Sequence, residues 1–177
     1  MFSKQGFYNT TIAQVAKNIN MSVGNIYNYF PSKNSLAKAS ISFVTRKLAI
    51  SLRDINNKNI SSKEKVYLFV VSYLNFLENN PEMIDYFFRV YLANKEMFCE
   101  EDDCGFKLAQ EFIDEIERLI NDGVKSKVFI EQEFFIAFSC ITGILGGITF
   151  LNGEKVLDKD LSTYAQDLSV TIYKALS

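Results

Sequence analysis

Between Thr11 and Lys33 the chain carries hydroxyls, carboxamides and two ammonium groups, but no carboxylate, imidazole or thiol. That set lacks the usual general bases and metal ligands, yet it can hydrogen-bond widely and can meet an anion. Lys33 follows Pro31-Ser32 at a predicted helix start. There, unpaired N–H groups and the helix dipole favour a phosphate oxygen, and the ammonium adds a counter-charge. A solvated surface lysine is the plain alternative; Tyr27 and Tyr29 nearby favour phosphate. The charge of the surroundings agrees. No acidic residue occurs in residues 1–53, which hold seven Lys and Arg, whereas the remainder holds 12 basic and 21 acidic residues. The net charge of −2 therefore hides a basic first third on an acidic body, the balance expected of a nucleic-acid-binding module attached to a second region.

Two short helices must position these groups. Thr10 or Thr11 can cap the first, and Ile12, Val15, Ala16 and Ile19 then recur at helical spacing. Asn20 tolerates the left-handed backbone that ends a helix. Ser22 caps a second helix with Ile26 and Phe30 on its inner side, and Ala16 is small enough to sit where the two helices cross. Pro31 ends the run. This is the pattern of a helix-turn-helix.

The residues Thr10, Thr11, Ile12, Ala13, Ala16, Ser22, Gly24, Ile26, Tyr27, Tyr29, Phe30, Ser32, Lys33 and Leu36 resemble, at fixed spacing, the DNA-binding region of the TetR family of bacterial transcriptional regulators. The resemblance covers under a fifth of the chain. It implies an all-α fold, with a helix-turn-helix DNA-binding domain over residues 1–46 and an effector-binding and dimerisation domain over residues 47–177. It also implies backbone contacts to DNA from Thr11, Tyr27, Tyr29 and Lys33. Ser22, Val23, Gly24, Asn25 and Asn28 form the start and outer face of the second helix and would meet the major groove. Tyr27 could equally be a core aromatic, and Gly24 could serve either close approach to DNA or tight packing. The recognition helix has no Arg or Lys between Met21 and Phe30. Two departures stand out. Asn20 replaces the family's usual turn glycine, and only Met1 to Gln5 represent a first helix that is normally much longer.

The rest reads as helical throughout, with helices expected over about 34–55, 62–77, 104–127, 131–152 and 158–175, another beginning at Pro81, and Ser62 as a cap. Val66, Phe69, Val70, Tyr73, Leu74 and Leu77 give the 62–77 helix a broad apolar surface and a central place. Tyr67, Val70, Tyr73, Phe87, Tyr91, Phe112 and Phe138 are expected to line an effector cavity suited to a large apolar or aromatic molecule, although core packing explains many of the aromatics. Gly143 and Gly147 share one face of an otherwise apolar helix, where each glycine costs about 1 kcal/mol relative to alanine. With Phe150, Leu161, Tyr164, Leu168 and Ile172 they are expected to form a homodimer interface; an intrachain contact or room for ligand are the alternatives. Such a dimer would read a near-palindromic double-stranded operator, and repression released by an effector is the family's usual outcome.

Composition limits the other classes. At 177 residues and 48% hydrophobic the chain can bury a core. No apolar run reaches about 18 residues without a polar interruption, so no membrane span is expected and a cytoplasmic location is inferred. The absence of histidine, of a Gly-rich phosphate loop and of a nucleophile elbow argues against an enzyme; no catalytic residue, metal or cofactor is expected. Cys99 and Cys104 flank four carboxylates, which leaves open a ligand- or redox-sensing helical dimer with weakened or lost DNA binding.

Overall fold

A computed structural model of the protein describes residues 1–86 and 105–177, and among these every regular element is helical. Phe87, Tyr91, Cys99 and Cys104, and the acidic connection expected over 94–103, lie outside the described residues. The helices are α1 (Phe2–Gln5), α2 (Ile12–Asn18), α3 (Val23–Tyr29), α4 (Lys33–Asn56), α5 (Ser62–Asn79), α6 (Pro81–Tyr86), α7 (Gly105–Leu108), α8 (Gln110–Lys125), α9 (Phe134–Gly153) and α10 (Ala165–Leu176), with a 3₁₀ turn at Leu161–Tyr164. They gather into two compact units, Met1–Arg46 with Glu82–Gln110 and Lys47–Pro81 with Glu111–Ser177.

In the first unit, apolar burial gives two small clusters. Phe2, Phe7, Ala37 and Ile41 form one, with Leu36 and Leu108 against it. Ile12, Ala16 and Ile26 form the other, joined by Val15, Phe30 and Leu36. Leu36 packs on both. The buried Thr45 hydroxyl donates to the carbonyls of Ile41 and Leu108, so it brings no unsatisfied polar group into the core.

In the second unit α5 is central, as its pattern predicts: Val66, Phe69, Val70, Tyr73, Leu74 and Leu77 are all buried. Its cap is Ser61 rather than Ser62. The Ser61 hydroxyl accepts from the Glu64 N–H at 3.2 Å, because the capping residue stands just outside the first helical turn. The single helix expected over 104–127 is two, α7 and α8. The last helix begins at Ala165, after the 3₁₀ turn.

α9 corrects the expectation that polar residues break every long apolar run. Ser139, Thr142 and Thr149 donate to the carbonyls of Ile136, Phe138 and Leu145 in the preceding turn. Their hydroxyls are thus satisfied within the helix, and α9 is long and apolar enough to cross a membrane by length and composition.

A polar clasp joins the end of α4 to α8 and α5 within this unit. The Glu115 carboxylate accepts from Arg53 Nε at 2.7 Å and from Asn56 Nδ2 at 3.0 Å, with Arg118 at 3.7 Å. Asn56 Nδ2 also reaches the Glu115 carbonyl, and the Asn56 carbonyl accepts from Lys65 Nζ at 2.8 Å. Burial pushes the Glu115 carboxyl up, but hydrogen bonds from Arg53 and Asn56 and the charges of Arg53 and Arg118 outweigh it and leave it below the ordinary value. A folded-state value below the unfolded one gives stability that is present above the ordinary carboxylate range and lost as pH falls through the lower folded value. Urea titrations at descending pH should therefore show stability declining in that range. Glu115→Gln should lose about 1–3 kcal/mol near neutrality and follow a flatter acid limb. An acid limb as steep as the parent's would mean that Glu115 is not the group being titrated.

Candidate nucleic-acid interface

The α2–α3 pair is fixed by local chemistry at each end. Thr11 caps α2: its hydroxyl accepts from the Gln14 N–H at 3.2 Å, while Gln14 Oε1 accepts from the Thr11 N–H at 2.8 Å. This reciprocal capping box satisfies two otherwise orphan donors. Thr10 instead points inward, fully buried, and donates to the Gly6 carbonyl at 2.8 Å. At the far end Asn20 takes φ 55°. The Met21 N–H then reaches back to the Ala16 carbonyl at 2.9 Å and the Asn20 N–H to Lys17 at 3.3 Å, the two bonds of a Schellman stop. Ser22 starts α3, its hydroxyl accepting from the Asn25 N–H at 3.1 Å.

The register of α3 follows. Ile26 faces inward at 4% exposure beside Ala16 and Ile12. Ser22, Val23, Gly24, Tyr27, Asn28 and Tyr29 are exposed, and Asn25 is half-buried. The alternative that Tyr27 is a core aromatic does not hold: Tyr27 is 49% and Tyr29 71% exposed. Gly24 is also resolved. A Cβ built there meets nothing within 4 Å, so packing within the chain does not require glycine. Gly123 shows the contrast, since a Cβ there would overlap the Phe129 ring.

Lys33 departs from the expectation. It begins α4, but its Nζ donates to the Phe7 carbonyl at 3.1 Å and lies 4.2 Å from the centre of the Phe7 ring. Phe7 is itself stacked on Phe2. The ammonium thus ties the first helical segment to α4, and only its remaining N–H donors can address a phosphate. No pattern around Lys33 announces this bond, because Phe7 lies 26 residues away. Gln14 and Ser35 also take part, signalled by the T-x-x-Q and S-x-x-S spacings; Ser35 exchanges side-chain and backbone bonds with Ser32 at the start of α4.

In the second unit, α9 presents an exposed stripe. Phe135, Ile136, Phe150 and Leu151 are 56%, 56%, 64% and 41% exposed, and Ser139, Gly143 and Gly147 lie exposed between them. Among the described residues neither glycine has an atom within 4 Å of where a Cβ would sit, so no contact with them explains the glycines. Leu161 and Ile172, expected in a dimer interface, are instead buried at 6% and 1%. Both belong to elements that pack on α5, so burial inside one chain already consumes their apolar surface. Tyr164 and Leu168 are half-buried, and the Tyr164 hydroxyl donates to Asp158 at 2.9 Å.

Of the residues expected to line an effector cavity, five (Tyr67, Val70, Tyr73, Phe112 and Phe138) lie among the described residues. Val70 is fully buried. Tyr73 is buried too, its hydroxyl paired with that of Thr149 at 2.6 Å; burial raises its pKa, opposed by that bond. Phe112 packs on Phe69, and Phe138 on Phe134. Tyr67 is six residues from Tyr73 and so faces another way. It borders a recess of about 260 Å³ with Ser61, Lys63, Glu64, Gln166 and Ser169. A recess of about 410 Å³ that the sequence did not indicate lies in the first unit, lined by Phe2, Leu36, Phe43, Val44 and Met83 among others.

Comparison with known proteins adds to this geometry. Residues 1–40 match the family model of bacterial regulatory proteins, tetR family. Over 152 residues, 86% of this chain and 71% of the other protein, the chain is 25% identical to the nucleoid occlusion factor SlmA of Haemophilus ducreyi. The fatty acid degradation regulator FadR from Bacillus halodurans superposes with a TM-score of 0.81 at 15% identity, covering 99% of this chain and 94% of that one. The transcriptional regulator FadR from Bacillus subtilis, solved in complex with stearoyl-CoA, gives 0.78 at 12% identity with the same coverage. At such identities the structural likeness shows the fold.

Two expectations follow from the glycines. Gly24→Ala should raise the stability of the unbound protein by about 0.5–1 kcal/mol, as alanine does in an exposed helix, while weakening DNA binding; unchanged DNA affinity would show that nothing approaches the α3 backbone. Gly147→Leu or Phe150→Glu should shift sedimentation toward a monomer without loss of helicity. A monomeric parent would refute α9 as a self-association surface.

Proposed function

Because residues 1–40 match the family model of bacterial regulatory proteins, tetR family, we propose that this chain is a TetR-family repressor that binds a near-palindromic duplex operator as a homodimer and releases it on binding a small apolar effector. DNA-binding regulation rather than catalysis is its role. The observation that carries the reading is the outer face of α3, held clear of its own unit by Ile26 while Tyr27 and Asn28 stay exposed. In this reading residues 1–46 meet DNA in the cytoplasm and residues 47–177 dimerise and take the effector, with no resident cofactor.

Pairing through α9 would give two recognition helices. They fit successive major grooves when about 34–36 Å apart. The stripe supports a second copy of the chain as its occupant, because exposed glycines flanked by large apolar residues allow two helices to approach closely. An effector that prefers a different spacing would lower operator affinity in proportion to that preference. α4 is the element to transmit it, since its residues are shared between the two units. The stearoyl-CoA held by one fold neighbour makes long-chain acyl compounds the first class to assay.

Fluorescence anisotropy with duplexes from around the protein's own coding region tests this. Affinity should fall steeply with salt, as counterion release requires, and an acyl compound should dissociate the complex. Lys33→Gln should lower the salt slope by about one if the ammonium also meets a phosphate. A lower melting temperature with an unchanged slope would assign Lys33 to the Phe7 bond alone. Failure to retain any duplex at low salt would favour a ligand- or redox-sensing dimer.

A further inference from the structure

Val23, Gly24, Tyr27 and Asn28 are all exposed and adjoin on the outer face of α3, since positions three and four apart lie side by side on a helix. What they can read depends on what base edges offer. Guanine shows two acceptors in the major groove, which Arg or Lys matches. Adenine shows an acceptor beside a donor, which a carboxamide matches, and thymine adds a methyl group that takes an apolar contact. The α3 sequence, VGNIYNY, holds no cation. The ammonium that follows it, Lys33, is drawn back to the Phe7 carbonyl. Lys17 sits in the last turn of α2 and Lys4 in that of α1, so neither belongs to α3.

Taking as its premise that this face enters the major groove, we infer that the operator half-site is specified by adenine and thymine. Asn28 pairs with the N6 and N7 edge of adenine and Val23 packs on a thymine methyl. Tyr27 and Tyr29, each with a single hydroxyl, position the helix. Asn28 has only one methylene between backbone and carboxamide, so it reaches a base edge only if the helix lies deep in the groove. Gly24, one turn earlier on the same face, is the position where a side chain is missing and where a Cβ meets nothing of the protein itself. The short reader and the bare backbone belong together: the glycine lets the helix descend far enough for the asparagine to work.

Selection of binding sites from a random duplex pool with the full chain tests this. Enriched half-sites should carry A·T pairs at the contacted positions. Asn28→Ala should lose roughly tenfold discrimination at one adenine, the order expected for one bidentate pair, with the salt dependence unchanged. Asn28→Arg should move that position toward guanine; because Asn28 is exposed, circular dichroism should confirm that both variants stay folded. A G·C-dominated half-site, or a selected sequence indifferent to both substitutions, would overturn the assignment while leaving DNA binding intact. No retention of duplex at any salt concentration would remove the premise as well.

Discussion

The reading face depends on one close approach, where α2 meets α3 at Ala16. At 1% exposure that residue leaves room for Ile26, and its carbonyl takes the Met21 N–H that closes the turn. The left-handed backbone at Asn20 makes this closure possible. With the turn closed and Ile26 inside, rotation of α3 about its own axis is fixed. Val23, Gly24, Tyr27 and Asn28 must then point away from the protein. A larger side chain at residue 16, or a β-branched one at residue 20, would move that face before touching any residue on it.

A similar economy appears at the glycines. A helical glycine weakens its helix unless something fills the space a side chain would take. Gly123 meets that condition, through Phe129, whereas among the described residues a Cβ at Gly24, Gly143 or Gly147 would have no neighbour within 4 Å. These open positions lie on the exposed faces of α3 and α9, one in each unit. Duplex and second copy are the occupants that the proposed function supplies.

The second unit shows the opposite treatment of polar groups. Glu115, Lys65 and the Asn56 Nδ2 are buried but bonded to one another or to backbone, leaving only the Asn56 Oδ1 of this clasp without a partner among the described residues, and Tyr73 closes on Thr149. Paired in this way, buried polar groups fix which surfaces of α4, α5, α8 and α9 meet, because a slipped register would strand them.

Local sequence was enough for the all-helical class, for the cap at Ser22, for a threonine cap at residue 10 or 11, for the left-handed stop at Asn20 and for the buried stripe of α5. Each rests on neighbours within about one helical turn, where residue type and spacing are the physics. Other features came only from tertiary structure. Lys33 turns back to a carbonyl 26 positions earlier, Leu161 and Ile172 go to the core of their own chain, and Tyr67 and Tyr73 part to different faces. An amphipathic pattern states that a face will be covered but not by what, since apolar contact carries no direction and no address. Which partner covers it is settled only when the helices pack.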